Sequence, residues 1–153
     1  KKIVSKARKT MTVIALSESC TGGMIAAALT DISGSSYVLD RGFVTYSNSA
    51  KIDILGVTKT CLEIQGAVSE HTARAMVNGT LAAAPIANLA LSVTGIAGPD
   101  GGSTEKPVGL VHFACKRRNN PIRHAMHLFE GTRKDIRNKS LQTALIMIFN
   151  ELY

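Results

Sequence analysis

The sequence predicts an α/β fold: one three-layer α/β/α domain with a mixed, mostly parallel sheet of about five or six strands and helices on both faces. In the first two thirds of the chain, short β-branched runs alternate with alanine- and leucine-rich runs, which is typical of strand–helix units. A hairpin pattern and an apolar-faced helix follow. With 153 residues, 45% apolar and 19% charged, residues 1–153 have the size and composition of a single globular domain.

The first elements follow from these patterns. Residues 1–9 place their apolar side chains on one helical face, so we expect a short helix or the end of a longer one there. Residues 12–16 form a short β-branched run that predicts a buried strand. The alanine-rich run after it predicts a helix over 21–30, and the Ser/Gly-rich residues 31–36 predict a loop.

A second strand and two short helices are predicted next. Residues 37–46 contain β-formers interrupted by Asp40–Gly42, which indicates a bulge or a hairpin turn. Serines then precede a short helix over 50–55, which Gly56 ends. Residues 60–64 are consistent with another short helix.

A longer helix and a second buried strand follow. Ser69 is a good N-cap for a helix that Pro85 ends. Residues 89–93 predict a buried strand, which runs into a second glycine-rich loop over 94–103.

The chain closes with a hairpin and a helix. Residues 107–116 and 122–129 read as two strands joined by a turn over 117–121. From about Thr132 to the end, apolar side chains recur at helical spacing.

Charge and composition limit the partners. The net charge is +7 and the pI about 9.6, which is compatible with a phosphorylated small molecule, nucleic acid or an acidic membrane. Aromatic residues make up only 5%, Trp is absent, and no unbroken run of five or six basic residues occurs, so nucleic acid is disfavoured. A solvated basic surface is the simpler interpretation. The oligomeric state, a homo-oligomer included, is left open.

Cysteine and histidine usage indicates neither a disulfide framework nor a metal site. The three cysteines are irregularly spaced without a CxxC motif, and no HxH or HExxH pattern occurs. We therefore expect a reducing, cytoplasmic location, with no metal and no cofactor. No run approaches the roughly 20 apolar residues of a membrane span, and no signal peptide is recognisable. The chain begins with Lys1 rather than Met, so we expect it to be part of a longer one.

Two hydroxyl- and glycine-rich loops follow the two buried strands. The first is Ser17–Gly23, in which Ser19, Cys20 and Thr21 are candidate nucleophiles or ligands, and the second begins at Thr94. If the two strands are parallel neighbours, their loops form opposite walls of one pocket, and the glycines let backbone N–H groups approach an anion such as phosphate. The alternative for the first loop is a simple helix N-cap. No P-loop and no GxGxxG occurs.

A serine nucleophile requires a base, and no histidine lies in either loop. Lys51 follows Tyr46 and the serine-rich cap, so a Ser–Lys(–Tyr) hydrolase is chemically feasible. The alternative is that Lys51 is a solvated helix residue. Cys20 competes with Ser19 as nucleophile at this turn. Ser103–Lys106 matches the S-x-x-K motif, but two glycines and a proline flank it, so it predicts a loop.

Five motifs in one order resemble the CinA carboxy-terminal domain family over nearly the whole chain. They are Glu18–Gly23, Arg41–Asn48, Ala50–Lys51 with Leu55–Val57, Gly66–Ser69, and Thr94–Gly102 through Glu105–Gly109. The resemblance implies a bacterial, cytoplasmic amidase that hydrolyses nicotinamide mononucleotide to nicotinic acid mononucleotide and ammonia in pyridine nucleotide recycling. The alternative is a non-catalytic nucleotide-binding module of a competence- or damage-inducible protein.

The resemblance also implies roles for individual residues. Ser19 would be the nucleophile, Lys51 its base and Tyr46 a supporting hydroxyl. The family has Gly-Asp-Arg before the last helix where this chain has Gly131-Thr132-Arg133, so the Arg is kept, and with Arg137 it would hold the phosphate. The expected substrate-binding residues, with the backbone N–H groups of the first three as an oxyanion hole, are Thr21, Gly22, Gly23, Asn48, Thr94, Gly95, Ala97, Gly98, Gly101, Gly102, Lys106 and Arg133.

Overall fold

A mixed sheet of five strands in the order β2-β1-β3-β4-β5 forms the centre of the computed structural model, which describes residues 1–152. Strand β1 pairs in parallel with β2 and β3, whereas β4 is antiparallel to β3 and β5. The predicted mixed sheet is confirmed, and the parallel part contains the two strands whose loops are rich in hydroxyls. The strands are β1 Ile14–Glu18, β2 Leu39–Val44, β3 Leu89–Gly95, β4 Leu110–Arg117 and β5 Arg123–Leu128.

Six α-helices cover both faces of the sheet, as predicted. Helices α1, α2 and α6 pack on one face, whereas α5 packs on the other and is itself covered by α3 and α4. None of the helices within residues 1–152 has the length and apolar character needed to cross a membrane. The helices are α1 Lys2–Lys9, α2 Met24–Thr30, α3 Asn48–Leu55, α4 Lys59–Gln65, α5 Glu70–Ala83 and α6 Arg133–Asn150.

Strand β1 is buried along its whole length because both of its faces are covered. Side chains alternate along a strand, so Ile14 and Leu16 enter the core beneath α1, α2 and α6. Ala15 and Ser17 face α5, and the Ser17 hydroxyl accepts a 2.8 Å hydrogen bond from Thr80 of α5. Small residues on this face allow the helix to lie close to the sheet.

Close packing also places α3, the helix that carries Lys51. A Cβ at Gly79 of α5 would lie 1.9 Å from the Leu55 carbonyl oxygen at the end of α3, so only glycine permits this approach. Ser47 caps the start of α3 by accepting from Ala50 N, and Gly56 ends the helix with φ of 66°, as the sequence predicts.

Two predicted boundaries were wrong at the Ser17–Gly23 loop. Strand β1 continues to Glu18 because β2 and β3 both pair with it that far. Helix α2 begins at Met24 rather than Thr21, since Gly22 and Gly23 have φ of 59° and 98°. Those left-handed conformations cannot continue a right-handed helix.

The remaining elements differ from their predictions mainly at the ends. The bulge predicted at Asp40–Gly42 is confirmed, because the β1–β2 register slips by one residue there, and the hairpin alternative is wrong. Thr132 caps α6 in a capping box with Asp135, whose carboxylate accepts from Thr132 N at 2.8 Å. The predicted last helix ends at Asn150, and Tyr153 lies outside the described residues.

Candidate active site

A pocket of about 160 Å³ lies at the carboxyl ends of β1 and β3. The two strands are parallel neighbours, with Glu18 paired to Val93, so the loops that follow them meet as the sequence predicts. Ser19 N donates to the Val93 carbonyl at 3.1 Å, which fixes the first loop to the second strand. The pocket is lined by Ser19, Cys20, Tyr46, Lys51, Ala67, Val68, Thr94, Gly95, Ala97 and Arg133.

The structure brings Ser19 and Lys51 together in this pocket. Lys51 Nζ lies 3.1 Å from Ser19 Oγ, 2.9 Å from the Thr45 carbonyl and 3.3 Å from the Tyr46 carbonyl. The Lys51 side chain is only 1% exposed, and burial lowers its pKa below the usual 10.5. The alternative of a solvated helix lysine is therefore wrong.

The three contacts of Lys51 serve both of its protonation states, because an ammonium donates to all three oxygens, Ser19 Oγ included. A neutral –NH₂ group has two N–H donors, which suit the two backbone carbonyls, and one lone pair, which faces the Ser19 hydroxyl. In this state Ser19 donates its proton toward Nζ. The arrangement can activate a serine hydroxyl without a histidine.

Tyr46 contacts this pair through its backbone rather than through its hydroxyl. The side chain is 62% exposed, and its hydroxyl oxygen accepts from Arg133 Nη2 at 3.3 Å at the edge of the pocket. In this conformation the Tyr46 hydroxyl contacts Arg133 rather than Ser19 or Lys51, so it does not provide the expected support. Sequence spacing alone does not determine the orientation of a side chain that follows the end of a strand, such as Tyr46.

Cys20 lies beside Ser19 but is poorly suited to be the nucleophile. It is 5% exposed, and burial raises the pKa of its thiol to about 11. A thiol with that pKa is almost entirely protonated near neutral pH, and the protonated form is a weak nucleophile. The raised pKa of the Cys20 thiol and the contact of Ser19 with Lys51 therefore favour Ser19 over Cys20.

The Glu18 carboxylate occupies the start of α2, where we expected a ligand. It accepts from the Thr21 hydroxyl at 2.7 Å, from Gly23 N at 3.0 Å, from Ile25 N at 3.1 Å and from Ala26 N at 2.9 Å. The Thr21 hydroxyl is engaged with Glu18, and Thr21 is not among the residues that line the pocket. The N–H groups of Gly22 and Gly23 also have partners within the protein, which contradicts their assignment to an oxyanion hole.

Replacement of Glu18 by Ala should lower the free energy of unfolding by about 3 kcal/mol, because a buried hydroxyl and three N–H groups would lose a charged acceptor. Urea denaturation followed by circular dichroism measures the change. Glu63→Ala is the matched control, since the Glu63 carboxylate makes only an exposed ion pair with Lys59 and should cost less than about 0.5 kcal/mol. Equal stability of the two variants would contradict the capping role of Glu18.

The two arginines expected to share the phosphate have different surroundings. Arg137 Nε donates to the Cys20 carbonyl at 3.1 Å and Nη2 to the Thr21 carbonyl at 3.0 Å, so its guanidinium holds the turn instead of facing the pocket. Arg133 lines the pocket, and its Nη1 donates to the Gly98 carbonyl at 2.7 Å. Arg133 retains further N–H groups for an anion.

The remaining predicted residues are divided between the pocket and its surroundings. Thr94, Gly95 and Ala97 line the pocket, and the Thr94 hydroxyl donates to the Ala67 carbonyl at 2.7 Å. Gly98 contributes its carbonyl to Arg133 but is not part of the lining, and four further predicted residues also lie outside it. Those four are Asn48, Gly101, Gly102 and Lys106.

Lys106 lines a neighbouring groove instead. Its Nζ donates to the Gln65 carbonyl at 2.5 Å, and the groove also contains Val68 and His112. Sequence reasoning assigned no role to Ala67 and Val68, which line the Ser19 pocket. The signal was available, because both lie within the Gly66–Ser69 motif.

Comparison with known proteins gives one consistent match. Residues 1–152 match the family model described as CinA C-terminal domain. The chain is 53% identical to nicotinamide-nucleotide amidohydrolase PncC of Enterobacter agglomerans, over 86% of the chain and 82% of that protein. It is 49% identical to a CinA-like protein of Syntrophobacter fumaroxidans over 91% of the chain, and there it spans only 32% of the relative's length.

Solved structures agree with this match. The crystal structure of the competence/damage inducible protein CihA from Agrobacterium tumefaciens has a TM-score of 0.88 and 48% identity, covering 99% of this chain and 97% of that one. A CinA superfamily protein from Klebsiella pneumoniae has a TM-score of 0.93 and 31% identity, covering 99% and 93%. The fold is therefore shared over essentially the whole chain.

Proposed function

Because this chain belongs to the family of CinA C-terminal domains, we propose that it hydrolyses the carboxamide of nicotinamide mononucleotide to nicotinic acid mononucleotide and ammonia. The observation that carries the proposal is the 3.1 Å contact between Ser19 Oγ and the buried Nζ of Lys51. The Enterobacter relative is a nicotinamide-nucleotide amidohydrolase, which suggests the substrate, and the pocket contains groups suited to its chemistry.

The reaction proceeds through an acyl-enzyme. Neutral Lys51 takes the proton of Ser19 as Oγ bonds to the carboxamide carbon, and the π electrons of the C=O bond move to its oxygen. When this intermediate collapses, the C–N bond breaks and Lys51 returns the proton to the leaving ammonia. A water molecule then attacks the ester carbon with Lys51 again as base, which releases the carboxylate and restores Ser19.

The charges of the pocket suit an anionic substrate. Its lining includes the side chains of Lys51 and Arg133 and no carboxylate. Lys51 is engaged with Ser19, so we assign the phosphate to Arg133 at the edge of the pocket, beside the exposed Tyr46. Thr94, Gly95 and Ala97 would form the wall against the pyridine ring and ribose.

The second candidate function is a nucleotide-binding module without catalysis. It rests on the CinA-like relatives, of whose length the chain spans about a third, so this domain is one part of those proteins. Such a module would use the same pocket and Arg133 but would release no ammonia. Location in the cytoplasm belongs to the proposal as well, and agrees with the free thiols of Cys20, Cys61 and Cys115.

Ammonia release from nicotinamide mononucleotide, measured with a coupled glutamate dehydrogenase assay, tests the proposal. We expect turnover, and we expect kcat/KM to be about 10- to 100-fold lower for nicotinamide riboside, which lacks the phosphate that pairs with Arg133. In Arg133→Met the kcat/KM values of the two substrates should become similar, mainly because KM for the mononucleotide rises. Calorimetric binding of the mononucleotide without ammonia release would support the binding module instead.

A further inference from the structure

Two consecutive buried N–H groups in the turn after Ser19 have no acceptor from another residue within residues 1–152. They belong to Cys20 and Thr21, and the Cys20 N–H approaches only the sulfur of its own side chain, a weak acceptor. The other N–H groups of the turn are bonded: Ser19 N to Val93 O, Gly22 N to Ser19 O, Gly23 N to Glu18 Oε2 and Met24 N to Thr21 O.

Burial makes this pair unusual. Cys20 is 5% exposed and Thr21 is fully buried, so bulk water does not readily reach their backbone. A buried N–H without a protein acceptor is rare in folded proteins and costs free energy, so these two donors are available to a group that enters the pocket. Helix α2 itself offers no such donors, because Glu18 already accepts from Gly23, Ile25 and Ala26.

Arg137 determines the direction of one of the two donors. Its guanidinium binds the carbonyl oxygens of Cys20 and Thr21 on the side of α6. In a planar trans peptide the N–H points away from the C=O, so the Thr21 N–H points away from Arg137. The positive charge of Arg137, which donates to the Cys20 carbonyl, also polarises the Cys20–Thr21 peptide group. This polarisation strengthens the Thr21 N–H as a donor.

The position of the turn suits a developing negative charge. Cys20 follows Ser19 directly and lines the same pocket. The N–H of the residue after a nucleophile is a common oxyanion donor in hydrolases, since it stays close to the carbon that the nucleophile attacks.

We propose that the backbone N–H groups of Cys20 and Thr21 form the oxyanion hole and that Arg137 is the positioning residue that orients the Thr21 N–H. The inference rests on the proposed amide hydrolysis. As the Ser19 Oγ–C bond forms and the carbonyl π pair moves to oxygen, that oxygen accepts hydrogen bonds from both N–H groups. The bonds weaken when the C=O bond re-forms and ammonia leaves.

Thionicotinamide mononucleotide provides a test, because a sulfur anion accepts hydrogen bonds poorly and gains less from such a hole. Wild type should hydrolyse the oxygen substrate much faster than the sulfur one. Arg137→Met should lower kcat for the oxygen substrate about tenfold or more, leave KM within about twofold, and lower kcat for the sulfur substrate less, so that the oxygen-to-sulfur ratio narrows. Arg137→Lys, which keeps the charge, should be intermediate.

Two further variants distinguish the positioning effect of Arg137 from a nonspecific effect of substitution on the structure. Lys139→Met removes another cation of α6, one that bonds only the Glu130 carbonyl on the surface, and should change neither kcat nor the ratio. Replacement of the Thr21 residue by its α-hydroxy acid converts the amide to an ester and removes one donor, which should lower kcat about 10²-fold.

The outcomes are distinct. An unchanged oxygen-to-sulfur ratio in Arg137→Met, or a loss confined to KM, would overturn the oxyanion hole while the amidase function stands. A wild type that releases no ammonia would overturn the proposed function itself, and the oxyanion hole with it, before any variant is compared.

Discussion

Replacement of Ser19 by Ala is expected to lower kcat for ammonia release from nicotinamide mononucleotide by about 10⁴-fold or more. Removal of a serine nucleophile leaves only binding and transition-state electrostatics, and losses of this size are typical of such variants. The fold should be unaffected, because within residues 1–152 the Ser19 hydroxyl is hydrogen-bonded to Lys51 alone. Initial rates at saturating substrate, with thermal unfolding as the measure of integrity, give the result.

The neighbouring residues provide matched controls for Ser19. Ser17→Ala removes a hydroxyl that accepts only from Thr80 on the opposite face of the sheet, so it should cost about 1 kcal/mol of stability and leave kcat nearly unchanged. Cys20→Ala tests the thiol as nucleophile and should keep most of the activity. Two results would contradict Ser19 as the nucleophile. One is turnover by Ser19→Ala, and the other is a loss of kcat in Cys20→Ala as large as the loss in Ser19→Ala.

The part of the site that follows from local sequence was predictable. Ser47, Ser69 and Gly56 act as caps where their residue types predict them. The meeting of the Ser19 and Thr94 loops follows from one assumption, that two buried strands are parallel neighbours, and the register of Glu18 with Val93 satisfies it. Local patterns therefore located the pocket.

The parts that were wrong depend on backbone angles and on distant contacts. No local pattern identifies Glu18 as a helix cap, because it is the positive φ angles at Gly22 and Gly23 that bend the chain so that α2 begins beside it. Arg137 reaches the Cys20 carbonyl from a helix 117 positions later in the chain. No spacing rule connects residues that far apart, so its assignment to the phosphate came from its helical spacing to Arg133 alone.

Replacement of Lys51 by Met should abolish activity, with kcat reduced by about 10³-fold or more, since no other base contacts Ser19 Oγ within residues 1–152. The wild-type pH profile carries a second signature of this base. Only neutral Lys51 can accept the Ser19 proton, so kcat/KM should rise with pH and level off above the lowered pKa, at an inflection below 10.5. A profile that is flat in this range would contradict Lys51 as the base.

The same substitution should change how stability depends on pH. Unfolded Lys51 is protonated below about 10.5, whereas the buried amine of the folded protein gives up its proton at lower pH. Between these two pKa values the unfolded state binds more protons, so wild-type stability rises with pH through this interval, and below it the full penalty of the buried charge is present.

Lys51→Met lacks this titration, and its loss of the bonds to the Thr45 and Tyr46 carbonyls is the same at every pH. The free energy of unfolding of the variant, relative to that of wild type, should therefore be highest at acidic pH. This difference should decrease as the pH approaches 10.5. Urea denaturation of both proteins across this range measures the difference, with Lys59→Met as the exposed-lysine control that should show no such slope. If the stabilities of wild type and Lys51→Met changed with pH in the same way, burial would not lower the pKa of Lys51. The neutral-amine mechanism would then lose its physical basis.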